Sequence, residues 1–259
     1  MIYLKYIRMI IKSIMQYRLS MWLTIIGQFF SSFFAFFGIY LLFQRFGTIA
    51  GWSFAEVAVC FAVIQIAFAT TECIARGFDL FSRFVVGGDF DRLLLRPRST
   101  ILQVFGSSFE LSRLGRLIQS FFVMGIALSL LDIQMDFFRI VTLVLMVVSG
   151  VFIFTGIFML GATICFFTVQ GLEVVNIFTD GGREIASYPL SIYNKWLARF
   201  FTFIIPFGCI NYLPLLYIVG RADGNEILYM LSPLFGVLFI VPCIIIWRFG
   251  VKHYLSTGS

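Results

Sequence analysis

The segment FAEVAVCFAVIQIAFATTECIA, residues 54–75, decides the fold. It is almost wholly apolar and has the length of roughly 20 residues that a helix needs to cross a hydrocarbon core of about 30 Å. Its two acids, Glu56 and Glu72, stand near opposite ends, about 24 Å apart on a helix rising 1.5 Å per residue. They cannot partner each other, and Glu72 is expected to pair with Arg76 one turn further on.

Similar apolar runs recur on both sides of this one, at 21–43, 117–131, 140–167 and 229–247. The whole chain of 259 residues is 60% hydrophobic and only 12% charged. A soluble domain would carry about 25% charged residues, so the chain reads as an all-α polytopic membrane protein. No polar stretch is long enough for a separate soluble domain, which predicts a single membrane domain over 1–259. In the first run, Gly27, Ser31 and Ala35 recur at four-residue spacing, a small-residue face that lets another helix approach closely.

Residues 1–20 read differently. Lys5, Arg8 and Lys12 fall on one side of a helix, and Leu4, Ile7, Ile11 and Ile14 form the opposite stripe. This pattern predicts an amphipathic helix lying on the membrane surface. No small-residue cleavage site follows it, so a cleaved signal peptide is not expected.

Charge sets the orientation. In a six-span reading, 16 of the 19 Lys and Arg fall on one side, leaving Arg45, Arg139 and Arg221 on the other. Placing 170–199 on that other side changes the division to 13 against 6. Either way, both termini and the 76–116 loop are expected in the cytoplasm. The net charge of +6 follows from this asymmetry and does not call for nucleic acid.

The 76–116 loop contains the compact insert GGDFDRLLLRP, residues 87–97. Asp89 suits an N-cap, and Asp91 suits the first turn of the helix that follows. Phe90, Leu93 and Leu94 share a face at i, i+3 and i+4. Arg96 falls in the last turn, and Pro97 stops the helix. A two-turn helix of this kind fits either an interfacial anchor or a docking knob for a soluble protein.

Two segments before the last run stay open on residues alone. In 199–220, Pro206 and Pro214 flank Gly208 and Asn211. These fit an uninterrupted spanning helix with its freed carbonyls satisfied by neighbours, or a broken, re-entrant hairpin. In 168–188, Glu173, Asn176, Asp180 and Glu184 recur at three- and four-residue spacing, with Arg183 among them. They fit a solvated loop helix, or a membrane helix whose polar stripe faces a protein interior.

The chemistry-bearing residues are sparse. The five cysteines, Cys60, Cys73, Cys165, Cys209 and Cys243, are scattered through apolar segments without a C-x-x-C pair. His253 is the only histidine, which excludes histidine-based metal sites and triads. The chain has no G-x-x-x-x-G-K-[ST] phosphate loop, so any ATP-driven motion needs a second polypeptide.

The amphipathic start, the insert GGDFDRLLLRP and the segment YPLSIYNKWLARFFTFIIPFGCINYLPLLYIVG (188–220) together resemble an ABC-2 family permease. Such a permease is the membrane subunit of a bacterial ATP-driven exporter. The resemblance covers nearly the whole chain and implies six transmembrane helices, with re-entrant helices before the last. It implies that Asp89, Phe90, Asp91, Arg92, Leu93, Leu94 and Arg96 form a coupling helix touching a separate ABC ATPase. ATP and Mg would then be bound by that ATPase, with no cofactor in this chain. It makes 168–188 the fifth span, with Glu173 and Asn176 facing the pathway at the subunit interface. Tyr188, Pro189, Pro206, Asn211 and Pro214 would belong to the outward-facing re-entrant part. The expected partners are ABC ATPase subunits, a second copy or a homologous permease, and membrane lipid, with no nucleic acid. A secondary transporter or channel subunit is the alternative, and it would be expected to show internal repeats and paired mid-membrane charges. An intramembrane enzyme is disfavoured by the lack of acid pairs and histidines.

Overall fold

A computed structural model describes residues 2–168 and 176–255, with side chains from residue 7. Helix α1 (Ile2–Ile14) is followed by a single tight turn, Met15–Tyr17, and then by α2 (Arg18–Phe46). The joint is at Tyr17, whose φ of −111° and ψ of 57° are not helical. Ile7, Ile11 and Ile14 are half-buried while Arg8 and Lys12 are exposed, so the amphipathic reading of α1 holds for the described side chains.

Helix α3 (Phe54–Ile74) is the centre of the bundle. It starts at a capping box: Glu56 N donates to Ser53 Oγ at 3.4 Å, and Ser53 N donates back to the Glu56 carboxylate at 2.7 Å. Its apolar residues from Val57 to Ala69 are buried all round, as expected of a helix with no polar face and neighbours on every side. The short helices α4 (Arg76–Asp79), α5 (Phe81–Val86), α6 (Asp89–Leu94) and α7 (Thr100–Phe105) fold the following loop over one end of the bundle. The spans α8 (Leu114–Leu130) and α9 (Phe137–Ile164) follow, and both pack on α3.

Helix α2 packs mainly on α8. Gly27, Ser31 and Ala35 are exposed, so the expected small-residue face makes no close crossing among the described residues. The close approach lies at Gly115 of α8 instead, where any side chain would collide with the Ile25 carbonyl.

Beyond α9, residues 177–181 form a π-helical turn that continues into α10 (Gly182–Ala186). Next come α11 (Lys195–Phe203), α12 (Gly208–Asn211) and α13 (Leu213–Ile218). The α11 helix meets the α12–α13 pair at 87°, so 199–220 is not a straight span. Pro206 lies at this bend, and Pro214 lies in the first turn of α13, where its missing N–H costs nothing. The last span is assembled from α14 (Glu226–Leu231), α15 (Pro233–Leu238) and α16 (Ile240–Lys252). Among the described residues, five helices are long and apolar enough to cross a membrane, or six if the bent pair is counted as one span.

Candidate functional site

The insert helix α6 is seated by two side chains. Phe90 is fully buried and Leu93 nearly so. Phe90 packs edge-on to Phe81 at 5.1 Å and to Tyr254 at 5.0 Å, close to Phe166 and Trp247. Such aromatic pairs add to their area burial. Burial and the neighbouring Asp91 raise the Tyr254 hydroxyl above the usual phenol range. Gln103 of α7 donates to the Leu93 carbonyl at 3.0 Å, holding the end of α6.

Leu94, Leu95, Val86 and Arg92 point away from the bundle, and Leu95 is 86% exposed. The expected common face of Phe90, Leu93 and Leu94 is therefore divided between the inside and the outside. Two finer expectations are corrected. The N-cap is Gly88, in a left-handed conformation (φ 68°) that glycine adopts without a Cβ penalty, while Asp89 begins the helix and pairs with Arg92 at 3.4 Å. The helix ends at Leu94, so Arg96 lies beyond its last turn.

Above the insert, at the same end of the bundle, a polar cavity of about 360 Å³ opens. Glu72 is its hub. Arg116 donates to Glu72 at 2.6 Å, Arg113 lies at 3.2 Å and Arg76 at 3.4 Å. Arg76 also reaches Asp79 at 2.5 Å and Glu110 at 3.1 Å. Gln28 of α2 accepts from Arg116 at 3.3 Å and from Arg113 at 3.4 Å. The guanidinium groups of Arg116 and Arg183 lie over the Phe68 ring at 5.7 and 5.1 Å. Burial pushes the Asp79 carboxyl above its usual range, with Arg76 opposing the shift. A buried carboxylate needs this many donors, because desolvation otherwise outweighs a single ion pair.

Asn176, Thr179 and Asp180 complete the cavity wall. The chain from Asn176 onwards runs along α3 from its Glu72 end to its Trp52 end, where Trp52 Nε1 donates to Ser191 Oγ at 2.8 Å. The bent pair leaves from and returns to this second end. There Arg221 binds Glu56 at 2.8 Å and lies over the Trp52 ring at 5.3 Å.

Between the two ends, Asn211 acts as a clasp. It is fully buried, and its amide donates to the carbonyls of Ala186 at 2.7 Å and Tyr188 at 3.0 Å. The Asn211 backbone carbonyl accepts from the Cys60 thiol at 3.2 Å. Of the re-entrant candidates, the structure thus joins Tyr188 to Asn211 directly. Pro189 precedes the short turn Leu190–Ile192. Pro206 and Pro214 shape the bend. Glu173 lies outside the described residues.

The sequence reading found Glu72 and its Arg76 partner but missed Arg113, Arg116, Glu110 and Gln28. A signal was present: two arginines three residues apart open the third apolar run, at the end of the bundle where Glu72 closes the second.

A family model described as ABC-2 family transporter protein matches residues 7–258. Comparison with curated proteins and with solved structures gives no match.

Proposed function

We propose, because the chain belongs to the ABC-2 transporter family, that it forms the substrate pathway of an ATP-driven exporter as a dimer. The chain itself is a non-catalytic membrane permease component of multi-pass topology. The second subunit is another copy or a homologous permease, and the energy comes from separate ATPase subunits that bind ATP and Mg.

The observation that carries this reading is the two-sided insert. Phe90 and Leu93 fix α6 to the aromatic end of the bundle, while Leu94, Leu95 and Arg92 are exposed to a soluble partner. A push on α6 reaches α7 through the Gln103 bond and the span ends through Phe81, Phe166 and Trp247. Asp89, Phe90, Asp91, Arg92, Leu93, Leu94 and Arg96 are the proposed coupling residues. Both termini and this loop lie in the cytoplasm, in line with the excess of Lys and Arg at that end.

In this reading the polar helix bearing Asn176 faces the pathway, and the bent pair with Tyr188, Pro189, Pro206, Asn211 and Pro214 closes its outward side. Purification of the tagged chain from its native membranes tests the assignment. ATP hydrolysis sensitive to a Walker A substitution in a co-purifying subunit is expected. A chain that transports with no such subunit would contradict it.

A further inference from the structure

The last span carries a face that neither the fold nor the coupling role uses. Leu238, Val241, Ile245, Arg248 and Lys252 recur at three- and four-residue spacing, so they lie on one side of α15–α16. All five are exposed. The face is apolar for three positions and then cationic for two, within the last turns of α16 at the end of the bundle that bears the insert.

Beside the two cations, a groove of about 330 Å³ runs between α16 and the start of α7. Trp247 and Val251 form its apolar side, and Ser99, Thr100 and Ile101 the other. Thr100 Oγ1 accepts from Trp247 Nε1 at 3.2 Å, which leaves the threonine O–H as a donor. Among the described residues neither Arg248 nor Lys252 has an acidic partner.

We infer that this groove is a binding site for one anionic phospholipid. An acyl chain would lie along Leu238, Val241 and Ile245, as any lipid-facing stripe permits. The phosphate would then sit at the depth of Arg248 and Lys252, whose long stems reach the interface. Cations near a membrane surface attract anionic lipid, and the hydroxyls of Ser99 and Thr100 add donors that a bare basic surface lacks. The site abuts the start of α7, whose Gln103 holds the end of the insert helix, so a bound lipid would brace α6 through α7.

Lipid retained by the full-length protein in detergent tests this. After exposure to micelles of phosphatidylcholine with or without phosphatidylglycerol, native mass spectrometry counts what stays bound. The inference expects one phosphatidylglycerol per chain in preference to phosphatidylcholine. The double variant Arg248→Gln/Lys252→Gln should bind it roughly ten- to thirtyfold more weakly. Arg248→Lys/Lys252→Arg should keep it, and so should Arg8→Gln/Lys12→Gln, which removes equal charge elsewhere. Equal losses in the two neutralised variants would overturn the site in favour of a diffuse basic surface. Displacement of the lipid by inorganic phosphate alone would overturn it in favour of a free anion. Unaltered lipid with loss of a co-purifying soluble subunit would overturn it in favour of a protein contact.

Discussion

Arg116 donates from Nη1 to Glu72 Oε2 across 2.6 Å, tying the start of α8 to the end of α3. Arg113, one turn earlier on the same side, approaches the other oxygen, Oε1, at 3.2 Å. The hub therefore locks two spans at one end of the bundle, and the polar helix bearing Asn176 and Asp180 rests against it.

Removing Glu72 should be costly out of proportion to its size. Glu72→Ala leaves Arg116 without its only carboxylate partner among the described residues and takes one partner each from Arg113 and Arg76, and breaking such a buried pair costs about 3–5 kcal/mol. Thermal unfolding in detergent should show a large fall in Tm. Glu72→Ala combined with Arg116→Ala should cost less than the two single changes added, because each already removes their shared contact. Strict additivity would mean that the two groups do not act together.

Asn211→Leu should loosen the clasp between the bent pair and Tyr188. The substitution leaves the carbonyls of Ala186 and Tyr188 without their donor in a buried place, at a cost of about 1–3 kcal/mol. Cys209, two residues away and buried, should become more reactive to a small maleimide. Unchanged reactivity together with unchanged Tm would count against the clasp.

All five native cysteines are buried, so single introduced cysteines can be labelled on a low background. A cysteine replacing Lys195, exposed at the start of α11, should react with an impermeant maleimide added outside intact cells. A cysteine replacing Arg92 on the insert should react only after the membrane is opened. Protection of the first from outside would contradict the outward placing of the bent pair.

Much of this was legible in the residues, and the misses have physical causes. Continuous apolar length located the long spans, and the proline pair marked the bend in 199–220. The residues of 168–188 alone allowed a solvated loop, because charge density in one helix says nothing of partners far along the chain. Asn176, Thr179 and Asp180 line the polar cavity where Arg76, Arg113 and Arg116 gather around Glu72, and Arg183 lies over the Phe68 ring of α3, a juxtaposition that only the fold creates. Periodicity grouped Phe90, Leu93 and Leu94 on one face. It could not show that a two-turn helix lying across a bundle end buries only the first two and turns Leu94 outward. The Asp89 cap was misplaced by one residue, because Gly88 can take a left-handed turn without help from a side chain.

The central claim is that α6 transmits force from a separate ATPase, and its exposed leucines offer the most direct measurement. Leu94 is 42% and Leu95 86% exposed, so Leu94→Asp/Leu95→Asp should change folding stability by no more than about 0.5 kcal/mol per substitution. Purified from native membranes, the parent chain should carry ATPase activity with it, and the double variant should lose most of that activity. A double variant that folds normally yet recovers the same ATP hydrolysis per mole of permease would contradict the account.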